Sequence, residues 1–154
     1  MTPDDEAAPN RLEQLLDSYA EDPQWYSDFF VALATERVTV AVNPPWEEVD
    51  APPPAGRKLL IVSDGSNQEQ PMLALFSRPA RAEKFCRENI RDGQFAPFEA
   101  ASSWALLQVP EDAGIRLNPN EPQSFRIPPP LADKLKRDVR QALQRAQAKA
   151  REAQ

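Results

Sequence analysis

Leu73-Ala74-Leu75-Phe76-Ser77-Arg78-Pro79-Ala80-Arg81-Ala82-Glu83-Lys84-Phe85 decides the fold, together with Gly114-Ile115-Arg116-Leu117-Asn118-Pro119-Asn120. The apolar run from Pro71 to Phe76 reads as a strand. Ser77 or Arg78 then caps a helix whose first turn holds Pro79, a place where a missing N–H does no harm, and Ala82, Phe85 and Cys86 turn inward. The second stretch is another strand, ending in an Asn-Pro turn and returning through Ser124-Phe125-Arg126-Ile127.

Working outward, Lys58 to Val62 is a dense apolar run of central-strand character. It forms a hairpin with Pro71–Phe76 around the turn residues Asp64-Gly65-Ser66-Asn67. Val38 to Val42 is β-branched and alternating, and Phe95 to Ala100 reads as a short edge strand. Upstream, Asn10 caps a helix carrying Leu12, Leu15, Leu16 and Tyr19, with Glu13 in the capping-box position. Pro23 opens a second helix whose Trp25, Tyr26, Phe29, Phe30 and Leu33 recur at helical spacing and form one aromatic core face. A short helix follows Ser102 or Ser103 and stops before Pro110. Pro128-Pro129-Pro130 launches the terminal helix, with Leu131, Leu135, Val139, Ala142, Leu143 and Ala146 in a docking stripe. The expected class is α+β, a mixed and largely antiparallel sheet of about five strands with helices packed against it. Residues 1–9 are expected as a disordered acidic tail, 10–143 as one domain and 144–154 as a basic helical extension.

At 154 residues with 41% apolar and 27% charged side chains, the chain is long enough for one real core. Its 17 prolines against 4 glycines belong mainly to connections, above all Asn43 to Gly56. There is no histidine, which removes the commonest general base, the commonest transition-metal ligand and every His-dependent nucleophile. The lone Cys86 excludes an internal disulfide and reads as helix packing. No phosphate-cradling glycine array occurs, and the carboxylate pairs Asp4-Asp5, Glu47-Glu48 and Glu111-Asp112 stand in polar connections without an apolar wall. The reading is not an enzyme, with no cofactor and no metal. Nine acids and one arginine lie between Met1 and Glu36, whereas seven bases and three acids lie between Leu131 and Gln154. The net charge of -6 argues against nucleic acid, and the basic helix lacks the aromatics of a membrane-lying one. With acids at its start and no bilayer-length apolar run, the chain is expected in the bacterial cytoplasm.

The strand-to-helix join at Ser77-Arg78-Pro79 and the Leu117-Asn118-Pro119 turn resemble the N-terminal domain of the bacterial SseB, or enhanced serine sensitivity, family. The likeness spans roughly Pro23 to Leu143. It implies a compact α+β module, here resembling a stand-alone version, and it brings no established catalytic residue. The proline-rich connection before Lys58 and the triple proline before the last helix depart from the family pattern. Function is therefore expected to be a non-enzymatic interaction or regulatory module with a protein partner. Pro45 and Trp46 in the proline-flanked loop, Phe98, Asn118, and Arg145 and Lys149 on the basic helix are the candidate contact residues. The alternative is a small-ligand or catalytic domain using carboxylates and serines, which would need a deep pocket of converging polar groups.

Overall fold

The computed structural model describes residues 9–43, 58–63, 70–90, 95–121 and 124–153. Two helices open the fold, α1 (Arg11–Asp17) and α2 (Pro23–Thr35). Asn10 and Glu13 form the expected capping box, and Asp22 caps α2 by accepting from the Trp25 backbone N–H at 2.7 Å. Strands β1 (Arg37–Asn43), β2 (Lys58–Leu59), β3 (Ile61–Ser63) and β4 (Pro71–Leu75) follow, then α3 (Pro79–Asn89). After β5 (Ala96–Ala101) and α4 (Ser102–Leu107) come β6 (Gly114–Leu117), β7 (Phe125–Ile127) and α5 (Pro129–Glu152).

Among the described residues the seven strands make two sheets, ordered β2-β1-β5 and β3-β4-β6-β7, where the sequence suggested one sheet of about five. Every pairing is antiparallel except β4 with β6, which is parallel with Leu73 opposite Ile115. The extra complexity arises at Leu60. Its N–H donates to Ala41 of β1 while its carbonyl accepts from Ala74 of β4, so one short segment ends one sheet and begins the other. A Thr39–Phe76 bridge joins the sheets again. Lys58 to Val62 is thus a corner at two sheet edges, not a central strand, and Ile61 is exposed. Apolar density signals burial but carries no information about which strands pair.

Both faces of the central strands are covered. Val38, Val40 and Val42 of β1 and Leu73 and Leu75 of β4 join the main core with Leu12, Leu16, Trp25, Phe29, Leu106 and Leu135 from α1, α2, α4 and α5. On the opposite face Ala41, Leu60, Ala74 and Phe76 meet Ala82 and Cys86 of α3. The aromatic face of α2 is core as expected: Trp25 stacks on Phe29 with ring centroids 5.0 Å apart, and its indole N–H donates to the Leu15 carbonyl at 2.8 Å.

Helix α5 is fastened by the buried Lys136, whose Nζ donates to the Val109 carbonyl just past α4 at 2.7 Å. Its docked stripe stops at Val139, one turn earlier than the sequence suggested. Leu143 is 40% exposed, and every residue from Arg140 to Ala153 faces solvent. Alanine and leucine at helical spacing predict a face, yet whether that face meets anything depends on where the rest of the chain ends.

Candidate functional site

Two features stand out from this frame, one buried and polar, the other open and apolar. The buried one is built where the start of α3 meets the start of α1. Arg78 and Arg81 lie at the N-terminal end of α3, the end at which a helix disfavours positive charge. Such placement calls for a neighbouring anion, and Glu13 of α1 supplies it. Its Oε1 stands 2.6 Å from Arg78 Nη2 and its Oε2 stands 2.6 Å from Arg81 Nε. The Ser77 hydroxyl donates to Oε2 at 3.0 Å, and the Asn10 backbone N–H donates to Oε1 at 3.2 Å.

Asn118, at the end of β6, completes the cluster from the other half of the deciding sequence. Its backbone is left-handed, φ 52°, a region that asparagine tolerates better than other residues with a side chain. That turn directs Oδ1 to accept from the Ser77 N–H at 2.9 Å and Nδ2 to donate to Ser77 Oγ at 3.0 Å. The Ser77 carbonyl in turn accepts from Asn10 Nδ2 at 2.7 Å. Glu121 extends the network, 3.5 Å from Arg81 and 3.6 Å from Lys84.

Burial alone would push the Glu13 carboxyl up. Hydrogen bonds from Arg81 and the Asn10 backbone, the Arg81 charge and the Ser77 hydroxyl outweigh it and hold the group below its ordinary value. Glu13 is therefore a fixed carboxylate with its acceptor sites occupied, unfit as a general acid and poorly placed as a base. The cluster is a latch between α1, α3 and the β6–β7 turn. Among the described residues no group of three or more His, Cys, Asp or Glu side chains is arranged to hold a metal ion.

The second feature is a groove of about 460 Å³ between α2 and α5. Phe30, Val31 and Ala34 form one wall, and Leu135, Val139 and Leu143 the other. Val31 is 60% exposed and, with Leu143, leaves branched apolar side chains on the lip. Ser27, Thr35, Ser103 and Asp138 are its polar lining, and the Thr35 hydroxyl is already spent on the Val31 carbonyl at 2.8 Å. The groove offers apolar area and shape rather than converging catalytic groups.

The structure does not bring the sequence-predicted contact residues together. Asn118 is fully buried and belongs to the latch, because its side chain is consumed by Ser77. Phe98 is 8% exposed and packs edge-on against Trp104 with centroids 6.1 Å apart. Neither presents a surface for contact. Pro45 and Trp46 lie outside the described residues. Arg145 and Lys149 are exposed on the distal part of α5. Sequence reasoning missed the groove because the spacing of apolar residues within α2 or α5 does not say how the two helices lie against each other. It also missed the second role of Glu13, although two arginines at a helix N-terminus were a readable signal for a buried acid.

The family model for the SseB protein N-terminal domain matches residues 12–131, and the chain belongs to that family. No curated protein and no solved structure matches it. Among the described residues no helix is long and apolar enough to cross a membrane.

Proposed function

We propose that the protein is a non-enzymatic interaction module that takes a protein partner in the groove between α2 and α5. The observation that carries this reading is the open apolar lip, where Val31 and Leu143 remain in water although the rest of the large apolar side chains on α2 and α5 are sheltered. The buried polar side chains of Glu13, Ser77 and Asn118 are engaged with one another and with Arg78 and Arg81 in the latch. A groove between two helices suits an amphipathic helix, which would place apolar residues three and four apart against Phe30, Val139 and Leu143. The reading sets this work in the bacterial cytoplasm, a compartment in which the unpaired thiol of Cys86 stays reduced.

The test is a photo-crosslinking amino acid at Val31, with the same probe at Arg87 on the far side of α3 as the control. Crosslinked protein adducts that form from position 31 and not from position 87 support the docking role. Illumination that yields no protein adduct from position 31 refutes it.

A further inference from the structure

The groove ends before the helix that walls it does. Leu135, Val139, Ala142 and Leu143 of α5 line it, whereas α5 runs on to Glu152. The stretch from Gln144 to Glu152 carries the helix about 13 Å further into solvent at 1.5 Å per residue. No glycine interrupts α5 and no proline follows Pro130 in it, so nothing in its sequence kinks this stretch back onto the domain. The apolar stripe continues on the projecting part, since Ala146 and Ala150 follow Val139 and Leu143 at helical spacing. Small side chains there let a second helix come close.

Charge reverses along the edge of that stripe. Asp138, Ala142, Arg145 and Lys149 recur three or four residues apart and so form one row beside the apolar one. Inside the groove the row is acidic, because Asp138 is the one charged residue of the lining. Beyond the groove it is basic, and no acid stands between Asp138 and Glu152 in the chain to neutralise it. Among the described residues none of Asp138, Arg145 and Lys149 makes an ion pair. A surface divided in this way fits an occupant divided the opposite way, with a cation at the groove and acids along the projecting helix.

We infer that the groove takes an acidic amphipathic helix of another protein, laid antiparallel to α5, with its acids against Arg145 and Lys149 and one lysine or arginine against Asp138. This rests on the docking role proposed for the groove and specifies the partner's charge and direction. The direction follows from helix dipoles. Acids are favoured in the first turn of a helix and cations in the last, and α5 obeys this with Lys149 and Arg151 in its last turn. A partner with acids in its own first turns meets those cations when its start lies at the end of α5. Its last turn then falls in the groove, where a basic residue suits both its own dipole and Asp138. Apolar residues of the same helix cover Ala146 and Ala150 outside the groove and Val139 and Leu143 within it. From Gln144 to Glu152 every side chain faces solvent, so the partner also protects backbone that the domain leaves uncovered.

Fluorescence anisotropy of labelled synthetic peptides against the full chain tests this. The probe is a peptide of about 18 residues, long enough at 1.5 Å each to span the groove and the projecting turns. It carries leucines at helical spacing, glutamates in its first half and one lysine near its end, and the control replaces the glutamates with lysines. The acidic peptide should bind about tenfold or more tightly than the control, weaken as salt is raised, and slow amide exchange from Gln144 to Glu152. A photo-crosslinker on its first residue should map to the end of α5, and one on its last residue to the groove. Arg145→Glu with Lys149→Glu should cost the acidic peptide about tenfold or more and favour the control. Both positions are exposed, so the circular dichroism should stay that of the parent. Equal binding of the two peptides, a charge reversal without effect on the acidic one, or a first-residue crosslink inside the groove overturns the inference. A single-stranded RNA that displaces the acidic peptide at equal concentration overturns it in favour of nucleic acid. If the two peptides bind alike and Val31→Glu weakens both, the assigned charge falls and the docking role stands. If neither binds, the assignment falls, and the crosslinking probe at Val31 decides the docking role on its own.

Discussion

Replacing Glu13 with glutamine keeps the shape of the side chain and removes the charge on which three segments converge. Glutamine can still accept from the Asn10 N–H, so the capping box survives, but its amide nitrogen faces donors where Oε2 accepted them. Arg78 then loses its anion. Arg81 keeps only Glu121 at 3.5 Å. Removing one partner of a buried ion pair costs about 3–5 kcal/mol. Because the Arg78 and Arg81 side chains keep 14% and 24% of their exposure, water offsets part of the loss, and about 3 kcal/mol is the expected effect at neutral pH. The pH dependence makes this diagnostic. The folded-state pKa of Glu13 is lowered, so its stabilisation is complete above the unfolded carboxylate value of about 4.3 and is lost as pH falls through the folded value. Urea unfolding of both proteins across the range from neutral to about pH 3 should show the gap narrowing on the acid side, since protonated glutamate and glutamine carry the same charge. A gap below about 1 kcal/mol at neutral pH, or one unchanged on acidification, would refute the latch.

Gly114→Ala should cost about 1–3 kcal/mol, because the new methyl meets the Ile127 carbonyl, a backbone group that cannot yield, as well as Met72 Cε at 2.7 Å. Chemical denaturation would show it, and an unchanged midpoint would mean that β6 and β7 can separate freely. Leu135→Ala should destabilise by about 2–5 kcal/mol as a buried truncation. By contrast Leu143→Ala should stay within about 0.5 kcal/mol, since Leu143 is exposed, and equal losses would place Leu143 in the core after all. Cys86 should resist thiol reagents in the native protein, since burial raises its pKa and leaves little thiolate near pH 8. Stoichiometric labelling within the mixing time would contradict that.

Local chemistry was legible wherever neighbours in sequence settle it. The Asn10–Glu13 capping box, Pro23 and Pro79 at helix starts, and the aromatic spacing of α2 each need only residues within a turn or two of one another. The return of Phe125–Ile127 against Gly114–Leu117 was readable for the same reason. What stayed hidden depends on contacts between distant segments. Ser77 and Asn118 are separated by 41 positions and Ser77 and Glu13 by 64, and no periodicity reports that they touch. Asn118 consequently looked like a turn residue available to a partner, although its amide is the inner half of the latch. The division into two sheets had the same origin, since the corner at Leu60 follows from pairing partners and not from its own composition.

The family match takes in only one wall of the groove, and this bears on what membership can say about function. Residues 12–131 contain Glu13, Ser77, Arg78, Arg81 and Asn118, all of the latch but Asn10. Holding α1, α3 and the β6–β7 turn in place is a structural task that leaves open what the protein binds. The groove draws Phe30, Val31 and Ala34 from inside the match, but its other wall, from Leu135 to Leu143, lies beyond residue 131. The basic end of α5 lies beyond it as well. On the docking role proposed for the groove, partner choice is then set by α5. It follows that exchanging residues 133–154 for an unrelated amphipathic helix that preserves Leu135, Lys136 and Val139 should leave the fold intact and change only what the groove accepts.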